Sequence, residues 1–428
     1  MSTESGHLTG AHQLLRAIGA QSASTLANQV VAFVVPWLVL SRTGSALDAG
    51  TVAFATGTAA VVGTLFGGVI VDRIGGRATS LLSDALSLVT VLALPVALFL
   101  DALPLWLILV TQTVGVLFDG PGKVARDTLV PSTARHDGVP LIRAASLQET
   151  LKSSATLLGP LAAGALVVAT GESPTLLVAA GVFVVAMLLV RGVARPSRAP
   201  ARPPLSATAA LRDIREGFGH LLREPLLGPL TLLLTVWVAV YVPLSTIVLP
   251  AWFVLSGQSA SSLGVFLGAL ALGSILGGFG FTAIGHRVRP FRWFLVTGVV
   301  SKVVLGMLLL TGPGTKEAVT VAFAIGLTGA GQLPIINAAF YSRTPEHLLG
   351  RVDGAGWTLV LAALPVASLG FGWLVNATSP AVGIAVIATG SLVMVGVFGV
   401  HPAMRLLDDG TDVAPSTGGR NETMEVAA

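Results

Sequence analysis

The chain has 428 residues, of which 53% are hydrophobic and 11% charged, with a mean hydropathy of +0.83 and a formal net charge of +4. A soluble globular chain carries about 25% charged residues, so this balance excludes a soluble enzyme or binding module and points to an integral membrane protein. Because cysteine is absent, disulfides, thiolate metal sites and cysteine nucleophiles are excluded too.

The polar start, Met1 to His12, lacks the basic region, short apolar core and small-residue cleavage site of a signal peptide and is expected to stay in the cytoplasm. Apolar runs follow at 17–41, 50–71, 79–100, 104–122, 144–169 and 174–194, then at 226–255, 262–284, 293–312, 318–341, 353–376 and 380–401. At ~1.5 Å per residue each run can cross ~30 Å of hydrocarbon and is too long for a barrel strand. The pattern predicts an all-α integral membrane fold of twelve transmembrane helices in two six-helix bundles. Turn signals such as Arg42-Thr-Gly-Ser, Gly171-Glu-Ser-Pro and Thr311-Gly-Pro-Gly separate the runs.

The two bundles are related by a repeat. Gly63, Gly67, Gly68, Ile74, Gly75 and Arg77 recur at an offset of 210 residues as Gly273, Gly277, Gly278, Ile284, Gly285 and Arg287, each set closing an apolar run. A repeat this long marks a duplicated membrane unit. Asp72 and Arg73 of the first copy become Thr282 and Ala283 in the second. The expected organisation is therefore an N-terminal bundle over 1–195, a linker over 196–224, a C-terminal bundle over 225–403 and a disordered tail over 404–428. In the linker, a Pro/Arg-rich segment beginning at Arg195 cannot be helical. Beyond it, Leu211, Ile214, Phe218, Leu221 and Leu222 form one stripe of an amphipathic helix, expected to lie on the inner membrane surface.

Loop charges orient the chain. Of its 25 Lys and Arg residues, Arg42 and Lys316 fall in the outer loops and Lys152 and Lys302 within apolar runs, while the rest lie on the side of the termini and linker. That asymmetry predicts a multi-pass protein of the plasma membrane with both termini cytoplasmic. It accounts for the excess positive charge without nucleic-acid binding.

Six plus six spans, a long central loop and Gly68-x-x-x-Asp72-Arg73-x-Gly75-x-Arg77 between the second and third spans resemble the major facilitator superfamily. The sequence around Pro36-Trp37, Gly159-Pro160 in the fifth span, and Thr344-Pro345-Glu346 through Asp353 resemble its drug and siderophore exporter branch, that of enterobactin exporters and macrolide efflux pumps. The resemblance implies that Gly68, Asp72, Arg73, Gly75 and Arg77 latch an inner gate. Asp72 would cap the eleventh span near Arg351 and Asp353, and Arg77 would pair with Asp127 or Asp119. Gly76 departs from the pattern, being often basic in the family. Gly159 and Pro160 resemble the glycine-proline element of antiporters. Where the branch often has an acid partway into the first span, this chain has Asn28.

Charges inside apolar runs are costly and mark function. Glu149, Asp119 and Asp84 are the carboxylates expected to couple transport to protons, with neutralisation of Glu149 by Lys152 as the structural alternative; Lys302 sits near the middle of the ninth span. The resemblance places the substrate cavity among the first, fourth, seventh and tenth spans, where Asn28, Gln29, Gln112, Thr113, Trp237, Tyr241, Gln332 and Asn337 are the non-aliphatic candidates to line it. With no acid read at mid-depth there, a bulky, largely apolar small molecule is expected. The leading function is proton-coupled export of such a molecule by alternating access. A facilitator or importer of another solute is the alternative, and a membrane enzyme or receptor is a third class. No cofactor or metal is expected, and the membrane lipids and the transported molecule are the expected partners of a monomer.

Overall fold

The computed structural model describes residues 12–101, 103–193, 207–345 and 348–408. They form α1 (His12–Thr43), α2 (Ala46–Ile74), α3 (Gly76–Phe99), α4 (Leu105–His136), α5 (Leu141–Thr170), α6 (Glu172–Arg191), α7 (Ala207–Arg223), α8 (Leu227–Pro243), α9 (Leu249–Leu255), α10 (Ala260–Ile284), α11 (Pro290–Thr311), α12 (Lys316–Gly329), α13 (Gln332–Arg343), α14 (Leu349–Ala377) and α15 (Pro380–Val400). Twelve segments are long and apolar enough to cross a membrane, α8–α9 and α12–α13 each counting as one. Helices are the form such segments take because hydrocarbon offers no partner to an open backbone amide. On the face where α1 ends and α2 begins, here the far face, Ser45, Ser259, Thr315 and Ser379 cap α2, α10, α12 and α15 by accepting the backbone N–H three residues on. The opposite face carries the α6–α7 linker and is called the linker face.

The repeated glycines do the same work in both halves. A side chain at Gly63 would strike the carbonyl of Leu117, and one at Gly67 would meet Pro121, so α2 lies directly on α4. Gly273 and Gly277 stand in the same way against Phe323 and Leu327, so α10 lies on α12. Close helix approach in a membrane relies on such small residues.

Among the described residues two spans are interrupted, both in the second half. Between α8 and α9, residues Leu244–Val248 form a π-helical turn, in which the Leu249 amide reaches back to the Leu244 carbonyl. Pro250 has no amide for the carbonyl of Thr246. The tenth span breaks at Ala330 and Gly331, just before Pro334. By contrast α1 and α14 run unbroken through Pro36 and Pro365.

The hydrophobic core shows where the halves meet. One cluster joins far-face residues of both, among them Trp37, Leu40, Ala49, Trp252, Phe253 and Phe266. On the linker side each half has its own: Leu14, Ile18, Leu129 and Ala144 in the first, Leu227, Phe294, Ile336 and Met404 in the second. The molecule is closed at the far face. There a methyl carbon at Gly50 would sit 2.8 Å from the Cα of Gly372, and one at Gly164 would sit 2.9 Å from the Cα of Gly264. Ser45 donates to Asn376 Oδ1 across the same seam at 3.4 Å. Gly50→Val is therefore expected to part α2 from α14 at this end. With cysteine absent from the chain, spin labels at Arg42→Cys and Thr378→Cys read the change as a longer distance; an unchanged distance would refute the closure.

Two expectations need correction. The fourth span does not end near 122; its helix continues to His136, so Lys123, Arg126 and Asp127 are helical. Residues 402–408 are folded, since Pro402–Leu407 forms a 3₁₀ turn with Met404 and Leu407 buried. Arg343 Nη2 holds the Leu406 carbonyl at 3.0 Å and Asp408 accepts from the Phe291 amide at 2.9 Å. The amphipathic helix α7 docks on α14: Gly217 abuts the Arg351 backbone, and Arg351 Nη1 donates to Glu216 Oε2 at 2.5 Å. Leu221 is buried there and Leu222 exposed, while the side chains of Leu211 and Ile214 and the tail from 409 lie outside the described residues.

Candidate functional site

The continuation of α4 carries the site in the first half. Asp119 and Arg126 stand two turns apart on α4 and face Asp84 on α3 and Ser24 and Asn28 on α1. Arg126 Nη1 donates to Asp84 Oδ1 at 2.8 Å, and Arg126 Nη2 reaches Asp119 Oδ1 at 3.4 Å. Ser24 Oγ donates to Asp84 Oδ1 at 3.0 Å, and Asn28 Nδ2 donates to Asp119 Oδ1 at 2.8 Å. Gly122 makes the approach possible, because a side chain there would collide with Ser83 on α3.

Burial grades across this cluster. Asp84 is fully buried and Arg126 is 3% exposed, whereas the Asp119 side chain is 31% exposed. Asp84 Oδ2 and Arg126 Nε are buried without a hydrogen-bond partner. Two carboxylates share one guanidinium, so the cluster is one proton short of neutrality when both are ionised. Asp119 lies about 21 Å from the far-face end of a helix rising ~1.5 Å per residue, in the linker-side half of a span that crosses ~30 Å of hydrocarbon.

In the second half, Trp237 and Tyr241 on α8 share a face with ring centroids 6.2 Å apart. Lys302 on α11 places Nζ 5.8 Å from the Trp237 ring centroid. Gln332, at the restart of the broken tenth span, is buried with Nε2 unpartnered, and Asn337 one turn further on is exposed. Irregular backbone at membrane depth is tolerated where it is enclosed by protein or lines a cavity, and here it flanks these side chains.

Gln29 donates to the Thr156 carbonyl at 3.4 Å and lies on Gly159, so it joins α1 to α5. Gln112 is buried. The Pro160 carbonyl and Gly164 meet Gly264 on α10, placing the glycine-proline element in the far-face seam. Glu149 is paired with Lys152 at 3.1 Å, and its side chain is 67% exposed. Exposed pairs of this kind contribute little, so Glu149→Gln is expected to keep transport within about twofold of the parent; a tenfold loss of efflux rate would contradict this.

The gate residues are brought together in part. Gly75, at a φ of +86°, turns α2 into α3 in a conformation that favours glycine. A side chain at Gly76 would sit 2.9 Å from Thr128 Oγ1 on the α4 continuation, which explains the glycine where the family often has a base. Arg77 pairs with neither Asp127 nor Asp119. Its Nη2 donates to the Arg191 carbonyl at 2.6 Å, and Asp127 accepts instead from Gln148 at 2.9 Å. Arg73 is exposed; Gly68 and the Asp72 side chain lie outside the described residues.

Sequence reading missed Arg126 and Ser24. Arg126 was assigned to a basic loop, and the available signal was its seven-residue spacing from Asp119, two helical turns on one face. Ser24, one turn before Asn28, carried no signal of its own.

Residues 17–360 match the sequence profile of the Major Facilitator Superfamily. The chain is 30% identical over 372 residues to the multidrug efflux pump Tap of Mycolicibacterium fortuitum, covering 85% of this chain and 89% of that one. It is 26% identical over 360 residues to the enterobactin exporter EntS of Citrobacter koseri, covering 81% of each. Among solved structures, the nucleoside transporter NupG superposes with a TM-score of 0.70 over 90% of this chain and 98% of that chain, at 10% identity, a likeness of fold alone.

Proposed function

The chain belongs to the major facilitator superfamily, and from that premise we propose that it is a secondary exporter, moving a bulky, largely apolar small molecule across the plasma membrane in exchange for protons. The observation that carries this reading is the Asp84–Arg126–Asp119 cluster, in which a single proton cancels the excess negative charge. Asp119 is its accessible member and Asp84 its buried anchor. Protonation removes most of the burial penalty of a carboxylate, so a half acquiring a proton gains freedom to rearrange. Asn28 in place of a first-span acid would otherwise favour a facilitator; its amide holds Asp119 at 2.8 Å, so an acid is supplied from the fourth span instead.

The cargo reading rests on the exposed amide of Asn337 and on the apolar character of the spans around it. Relatives named for drug efflux and siderophore export support the direction. Loop charges support a cytoplasmic linker face, which makes the far-face closure an inward-facing state. Alternating access would then part the far-face glycine seams as Gly68, Asp72, Arg73, Gly75 and Arg77 latch the linker face.

The test is accumulation of a lipophilic fluorescent dye in inside-out vesicles whose lumen has been made acidic. Uptake that a protonophore collapses is expected. Uptake indifferent to the proton gradient, or found in right-side-out vesicles alone, would contradict the proposal.

A further inference from the structure

A second buried charge, in the other half, takes no part in that cluster. Lys302 lies about 18 Å into α11 at ~1.5 Å per residue, is 7% exposed, and has no described carboxylate within ion-pair distance. Its contact with the Trp237 ring offsets a fraction of the cost of burying an ammonium. A buried charge of this kind requires a counter-charge or the loss of its proton.

The described surroundings supply no counter-charge from the protein. Lys302 borders a small cavity of about 20 Å³ inside the second half, together with Trp237, Tyr241 and Ser391 and the apolar side chains of Phe266 and Leu305. Trp237 Nε1 is buried with no acceptor. Neither the Tyr241 hydroxyl nor the Ser391 hydroxyl donates to any described residue, and Ser391 is 4% exposed. The wall therefore offers one positive charge and three unused donors, without a carboxylate. A cavity of this size admits one water-sized sphere. That is too small for a phosphate, or for a carboxylate still attached to a larger solute, and water brings no charge. A monatomic anion meets both conditions, and the mostly apolar wall suits a weakly hydrated one.

We propose that this cavity is a halide site, occupied in the cell by chloride, which neutralises Lys302 and accepts from the Tyr241 and Ser391 hydroxyls. The site lies within one half and is separate from the proton cluster, so it stands or falls independently of proton-coupled export. Its role is to let the second half carry a charged lysine through its movement as a neutral unit.

The experiment uses the purified full chain in nanodiscs, with chloride or bromide replacing gluconate at constant ionic strength while the thermal midpoint is followed. Saturable stabilisation of the parent is expected, with gluconate and formate inert. Lys302→Met, an apolar replacement of similar length, should fold and lose the halide response, and Ser391→Ala should raise the half-saturating concentration by about tenfold, as for the loss of one strong contact. Absence of halide stabilisation in the parent, an equal response in Lys302→Met, or equal stabilisation by formate would overturn the proposal. If Lys302→Met does not fold, bromide-soaked crystals of the parent decide: an anomalous peak between Lys302 and Ser391 upholds the site, and its absence there refutes it.

Discussion

Arg126→Met is expected to abolish transport and to lower stability by about 3–5 kcal/mol, the usual consequence of removing one partner from a buried ion pair. The guanidinium is 3% exposed and is the sole described cation within ion-pair distance of Asp84 and Asp119. Without it, α3 and α4 pack two carboxylates together inside the first half, each of which must then take a proton or draw in water. Thermal unfolding in detergent reads the loss. The triple change Arg126→Met, Asp84→Asn and Asp119→Asn leaves no charge in the cluster and is expected to recover most of the stability while transport stays absent. If the single change unfolds no earlier than the parent, the cluster is not the structural centre of the first half.

Asp119→Asn is the complementary case, in which the fold survives and coupling does not. Asn28 and Arg126 each keep a hydrogen-bond acceptor in the new amide oxygen, and Asp84 remains paired with Arg126 at 2.8 Å. Proton-driven dye accumulation should fall at least tenfold, as for a lost general acid or base worth about 1.4 kcal/mol or more, while dye binding to purified protein is retained. Asn28 and Asp119 meet across a single hydrogen bond, so the exchange Asn28→Asp with Asp119→Asn moves the carboxylate by about the 2.8 Å of that contact. The exchange should restore part of the activity. A Glu149→Gln variant as damaged as Asp119→Asn would instead direct attention to α5.

Much of the architecture was legible because membrane crossing imposes a length on every helix and the glycine repeat imposes a relation between halves. Gly63 and Gly273, noticed as a pattern, are the points where α2 meets α4 and α10 meets α12. The boundaries failed where charge was taken as a sign of water. Lys123, Arg126 and Asp127 read as a loop after Pro121-Gly122, yet Arg126 turns inward onto Asp84 and the helix continues. Side-chain pairing across helices 42 to 123 residues apart, as in Asp84 with Arg126 or His220 with the Arg343 carbonyl, leaves no local periodicity to read. Gln29 illustrates the converse: its amide donates to the Thr156 carbonyl and so ties α1 to α5, because an amide in hydrocarbon needs company.

The central claim is that Asp119, within its cluster, exchanges a proton for cargo. The most direct measurement is proton release on dye binding by purified protein in weakly buffered detergent solution, followed with a pH indicator. The parent is expected to release protons in proportion to dye bound, and Asp119→Asn to bind dye with no release. Equal release from both would contradict the account.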